Sequence, residues 1–197
     1  TEYGTLYSRK ELQAISEICR SYEIPLYLDG ARLGYGLAGE ENDLSLSEIA
    51  HLCDVFYIGG TKVGALFGEA VVAPQAQRLP HFFSLVKQHG ALLAKGRLLG
   101  IQFETLFTEG LYERMGAHAV RLALKLKKAF ADKGYRLYLD SPTNQQFVCL
   151  PNEVIDRLSQ EATFELWGPR GETETVVRFV TSWATREEDV DRLIALL

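Results

Sequence analysis

Two side chains of opposite chemistry close two apolar runs of the sequence. Asp29 follows Ile24-Pro25-Leu26-Tyr27-Leu28 and opens Asp29-Gly30-Ala31-Arg32. Lys62 follows Val55-Phe56-Tyr57-Ile58 across Gly59-Gly60-Thr61 and leads into Val63-Gly64-Ala65-Leu66-Phe67-Gly68. A lysine amine forms a Schiff base with an aldehyde, and a carboxylate beside a pyridine nitrogen keeps that nitrogen protonated, so the pair suits pyridoxal phosphate. Taken singly, an Asp-Gly is a turn and a lysine among glycines is a solvated loop residue. Taken together, in this order and each closing an apolar run, they read as a site. A phosphate-loop reading of Gly59-Gly60-Thr61-Lys62-Val63-Gly64 fails, because the Gly-x-x-x-x-Gly-Lys-[Ser/Thr] spacing is absent.

The elements that must position this pair follow from pattern. Both runs are short, rich in branched and aromatic residues and stopped by glycine, which predicts buried strands. One helical segment lies between them, so the unit is β-α-β with parallel strands, whose carboxyl ends gather ligands. Upstream, Ser8 with Glu11 forms a capping box for a helix with an inner stripe of Leu12, Ile15, Ile18 and Tyr22. Gly34 to Gly39 and the acidic Glu40 to Asp43 read as a loop, and Ser45 with Glu48 caps the second helix, with Leu46, Ile49, Ala50 and Cys53 inward. Glu69 to Ala73 reads as a further strand.

From Gln75 to Phe107 the pattern is helical, broken near Pro80 and Gly90; Gly96 and Gly100 share a face there and predict close approach of another backbone. The organisation changes at Thr108-Glu109-Gly110. Beyond it come a helix from Leu111 to Lys133 closed by Gly134, strands at Tyr135 to Leu139 and Gln146 to Leu150, and a short helix from Glu153 to Ser159. A hairpin of Thr163 to Trp167 with Val176 to Thr181 and a last helix capped by Thr185 and Glu188 complete an α+β layer. We therefore expect two parts, residues 1–108 and 109–197.

The remaining features narrow the function class. The 197 residues are 47% hydrophobic and 24% charged with a formal net charge of -5. No basic stripe invites nucleic acid, and no apolar run approaches the roughly 20 residues of a membrane span. Cys19, Cys53 and Cys149 show no metal spacing and read as reduced core thiols, so a cytoplasmic protein without a metal is expected. Arg32 sits at the same sheet edge as Asp29, and Arg178 lies inside a strand among Val176, Val177, Phe179 and Val180, where burial asks for an anionic partner.

The motifs LDGARL (28–33) and FYIGGTKVGALFGEAVV (56–72) resemble the aspartate and lysine motifs of the threonine aldolases, within the β-eliminating lyases of the aspartate-aminotransferase fold; SPTNQQF (141–147) and VVRFVTSW (176–183) are also similar to that family. The family often carries a Gly-rich run with an arginine where this chain has His89-Gly90-Ala91-Leu92-Leu93. The resemblance implies an α/β fold: residues 1–108 as the C-terminal part of a large pyridoxal-phosphate domain of fold type I, and 109–197 as a small α+β domain. It implies pyridoxal 5′-phosphate held by Lys62 as a Schiff base, Asp29 on the ring nitrogen, Ala31 against the ring and Thr61 on the phosphate. Arg32 and Arg178 would bind the carboxylate of a small amino-acid substrate. The implied reaction divides a β-hydroxy amino acid, as threonine into glycine and an aldehyde, in a homo-oligomeric parent; β-elimination or transamination use the same residues. The chain starts at Thr1, and family members begin upstream, so a C-terminal fragment is expected, inactive by itself, and a chain that folds or dimerises without cofactor is the alternative.

Overall fold

The structure is a computed structural model and describes residues 2–197. Two reciprocal capping boxes set the first helices. In α1 (Arg9–Ser21) the Ser8 hydroxyl accepts from the Glu11 N–H while the Glu11 carboxylate accepts from the Ser8 N–H; Ser45 and Glu48 repeat this at α3 (Leu46–Leu52). Ser16 donates to the Leu52 carbonyl at 2.6 Å and ties α1 to α3. The expected inner stripe of α1 is corrected: Leu12 and Ser16 are buried, whereas Ile18 and Tyr22 are 60% and 73% exposed. At 3.6 residues per turn Ile18 lies about 120° round the helix from Leu12, off the packed side.

The first sheet has the order β1-β2-β3, with β1 at Tyr27–Leu28, β2 at Val55–Gly59 and β3 at Glu69–Val72. β1 and β2 run parallel, Tyr27 facing Val55 and Leu28 facing Phe56, and β3 returns antiparallel to β2. The β-α-β reading therefore holds. β1 is shorter and less buried than its apolar run predicts, with Ile24 and Tyr27 more than half exposed, because β1 is an edge of the described sheet.

A short helix, α2 (Leu33–Leu37), replaces the loop expected at Gly34 to Gly39. It forms because two glycines let it close on α6 (Leu111–Asp132). A Cβ on Gly34 would stand 2.8 Å from the Tyr112 ring, and one on Gly116 would stand 2.3 Å from the Gly34 carbonyl oxygen. Between them the chain passes through α4 (Phe82–Gln88) and α5 (Arg97–Phe107), separated by non-helical residues after Gly90. The close approach expected at Gly96 and Gly100 is not made within the described residues: Gly96 precedes the first turn of α5, and a Cβ at Gly100 would meet nothing within 4 Å.

The second sheet is antiparallel in the order β4-β5-β7-β6, from β4 (Leu137–Leu139), β5 (Gln145–Pro151), β6 (Glu165–Leu166) and β7 (Glu174–Val180). Its Val148, Leu150, Val177 and Phe179 pack with α6, with α7 (Asn152–Leu158) and with α8 (Glu187–Leu196). The Thr185 cap is corrected: its hydroxyl accepts from the Ser182 N–H at 2.8 Å, and α8 begins after Arg186 with no side-chain cap. α6, about 33 Å long at 1.5 Å per residue, serves both cores: Tyr112, Ala119 and Val120 belong to the first, Leu122, Leu126 and Phe130 to the second.

Candidate active site

The carboxyl ends of β1 and β2 meet through glycine. Gly59 donates its N–H to the Gly30 carbonyl at 2.9 Å, and a Cβ on Gly30 would lie 1.7 Å from the Tyr57 carbonyl oxygen. Nothing larger than hydrogen fits, so the chain after each strand turns out at the same sheet edge. On one side this exposes Asp29; on the other it leads to the single 3-10 turn Thr61–Val63 that carries Lys62.

That turn is anchored at its base. Gly60 donates to the Glu69 carboxylate at 2.6 Å, Val63 is fully buried, and Gly64 leaves in the left-handed region at φ 100°. The Tyr35 hydroxyl donates to the Lys62 carbonyl, and the buried Tyr112 hydroxyl donates to that of Gly59 at 2.8 Å. The backbone of Lys62 is thus gripped while its side chain is exposed.

Asp29 accepts hydrogen bonds from the Tyr57 hydroxyl at 2.5 Å and the Ala31 N–H at 3.0 Å. Those two bonds, Tyr57's first, hold its carboxyl below the usual carboxylate range, and the charge of Lys62 adds to the effect. Burial, and then the Asp29 bond, push the Tyr57 phenol up. Ala31 is half-buried, and Thr61 is exposed with its hydroxyl making one long bond, 3.4 Å, to the Gly68 carbonyl.

Arg32 stands at the start of α2, half-buried; burial and then the like charge of Arg178 push its guanidinium down from its ordinary value. Arg178 projects from β7 beside Glu165, its cross-strand neighbour on β6, and forms an ion pair with it. Its Nη1 donates to Gln145 Oε1 at 3.1 Å, and its Cζ lies 4.8 Å from the centroid of the Trp167 ring. The anion that burial of Arg178 called for is therefore present in this chain.

A cavity of about 630 Å³ is walled by Tyr3, Asp29, Arg32, Tyr35, Asn144 and Gln145 among others. It joins Asp29 and Arg32; Lys62 and Arg178 lie outside its wall, Arg178 linked to it through Gln145. Sequence reasoning did not find Tyr57, Tyr35, Glu165, Trp167 or Gln145. Tyr57 was findable, since a parallel pair with Tyr27 opposite Val55 places Asp29 opposite Tyr57 two residues on. His51 and His118 bond the Ser47 and Thr185 carbonyls through their rings.

Comparison with known proteins is consistent along the whole chain. A low specificity L-threonine aldolase of a Pseudomonas species is 31% identical over 99% of this chain and 56% of its own length. The low specificity L-threonine aldolase of Pseudomonas aeruginosa is 32% identical over 98% and 55% respectively. This chain thus spans about half the length of those relatives. The solved threonine aldolase of Leishmania major superposes with a TM-score of 0.96 at 42% identity, covering 100% of this chain and 57% of that one. A putative L-allo-threonine aldolase from Listeria monocytogenes, 19% identical with a TM-score of 0.74 over 98% of this chain and 57% of its own, shares the fold. The profile described as "Beta-eliminating lyase" matches residues 1–151, and the chain belongs to the β-eliminating lyase family.

Proposed function

We propose that the whole protein is a pyridoxal-phosphate-dependent lyase that cleaves β-hydroxy amino acids, threonine into glycine and acetaldehyde being the type reaction. The observation that carries this reading is the ionised Asp29 and the exposed Lys62 on one sheet edge, joined through the Gly30–Gly59 contact. The names of the relatives support the substrate class. In this reading residues 1–108 are the C-terminal part of the large cofactor domain and 109–197 the small α+β domain.

The donor set fits the cofactor: an accessible amine on a rigid turn, a carboxylate held in its charged form, a small side chain at Ala31 and a weakly engaged hydroxyl at Thr61. Bound pyridoxal phosphate supplies an electron sink for the bond broken next to the substrate amine. Lys62 holds the cofactor through its amine. Asp29 keeps the proton on the ring nitrogen, which its depressed pKa suits, because an anion stabilises that cation throughout the working range. Ala31 leaves room for the ring and Thr61 donates to the phosphate. Arg32 and Arg178 bind the substrate carboxylate and so orient the bond to be cleaved. Residues 1–197 alone are proposed to hold cofactor weakly and to turn over no substrate.

The test is borohydride reduction of the whole protein with pyridoxal phosphate, followed by peptide mass mapping. A covalent pyridoxyl group on Lys62 is expected; modification confined to other lysines overturns the assignment.

A further inference from the structure

Arg178 is held by half of its fork. Nη2 pairs with Glu165 and Nη1 with Gln145, whereas Nε is buried and meets no acceptor among the described residues. Nε and Nη2 flank the same edge of the guanidinium, the edge that grips a carboxylate through two parallel N–H bonds. Glu165 engages one of the two.

The surroundings make that partner exchangeable. Glu165 is 53% exposed on the two-residue edge strand β6, so its carboxylate swings into water without disturbing a core. Arg178 itself cannot follow: its side chain is 16% exposed, with the Trp167 ring near its Cζ and Gln145 on its far end. Arg32 lies close enough for its like charge to act on Arg178.

We propose that Glu165 is a built-in competitor of the substrate carboxylate. It holds Arg178 in the free protein by a single contact, and an incoming carboxylate takes both Nε and Nη2 and turns Glu165 out to solvent. The exchange trades a one-point, partly exposed ion pair for a two-point one, and it is closed to ligands whose carboxyl is blocked as an amide. This deepens the proposed function and rests on its reading of Arg178 as a carboxylate contact.

The experiment uses the whole, cofactor-loaded protein with threonine as substrate and glycine as probe. Glu165→Gln, and Glu165→Ala as a second variant, should lower the KM for threonine about threefold to fivefold, the scale of a partly exposed ion pair, with kcat unchanged. In parallel, the Nε–H NMR resonance of Arg178, assigned by its loss in Arg178→Lys, should shift on adding glycine, at lower glycine concentrations in Glu165→Gln, and should not move with glycinamide. A raised or unchanged KM in both Glu165 variants, alongside a raised KM in Arg178→Leu, makes Glu165 a fixed support of Arg178 and overturns the competition while leaving the carboxylate reading intact. An unchanged KM in Arg178→Leu removes that reading and the inference with it.

Discussion

The phenol of Tyr57 reaches across two parallel strands to donate its proton to Asp29 at 2.5 Å, a bond that lowers the carboxyl and raises the phenol. Asp29 is held low chiefly by this bond and secondly by the Ala31 N–H. A carboxyl lowered by folding adds stability above its ordinary value, and that stability is lost as pH falls through the lowered one. Tyr57→Phe should therefore raise the Asp29 pKa, so its charge is lost at a higher pH in the variant. Carbon NMR of the Asp29 carboxyl follows this directly; an identical titration in the variant would assign the lowering to Ala31 alone.

Lys62→Ala should leave the circular dichroism spectrum unchanged, since the turn is anchored by Gly60, Val63 and the Lys62 backbone rather than by the amine. Covalent retention of pyridoxal phosphate and turnover should both vanish in the whole protein. Normal turnover in this variant would move the assignment to another lysine.

Asp29→Asn should lower kcat on the order of a hundredfold, the scale for a charge acting on a developing transition state, with a much smaller change in KM. In the proposed function the carboxylate would hold the proton on the cofactor's ring nitrogen, a role that bears on the barrier more than on substrate binding. The opposite pattern, an unchanged kcat with a raised KM, would make Asp29 a substrate contact.

Gly116→Ala sets two effects against each other. Alanine gains roughly 1 kcal/mol of helix propensity in α6. Its Cβ, however, would stand 2.3 Å from the Gly34 carbonyl oxygen, a backbone atom that moves only with α2. Overpacking of this kind costs about 1–3 kcal/mol or more, so the clash wins and Tm should fall by several degrees in thermal denaturation. A Tm at or above that of the parent would show that α2 yields freely.

Much of this architecture was legible because local signals agreed. Ser8 with Glu11 and Ser45 with Glu48 cap helices as their spacing predicts, and Gly134, at φ 82°, ends α6. The parallel pairing of β1 and β2, which brings Asp29 and Lys62 to one edge, was expected from one intervening helical segment and holds although the connection carries two helices, α2 and α3. What escaped depends on contacts between distant segments. α2 is a helix because Gly34 meets Tyr112 and Gly116, some eighty residues away, and no local pattern announces that. Thr185 and Glu188 have capping spacing, yet the hydroxyl is already taken by the Ser182 N–H. Glu165 as partner of Arg178 required the register of β6 on β7, which a two-residue strand does not reveal in sequence.

The sharing of α6 between the two cores has a thermodynamic reading. Tyr112, Ala119 and Val120 are walls of the first core although they follow Gly110, and the same rod supplies Leu122, Leu126 and Phe130 to the second. Neither sheet can melt without stripping one face of the helix on which the other depends. Heating should therefore dissolve both in one cooperative step, a single calorimetric peak, and the arginine on one sheet keeps its station relative to the lysine on the other for as long as that common beam is intact.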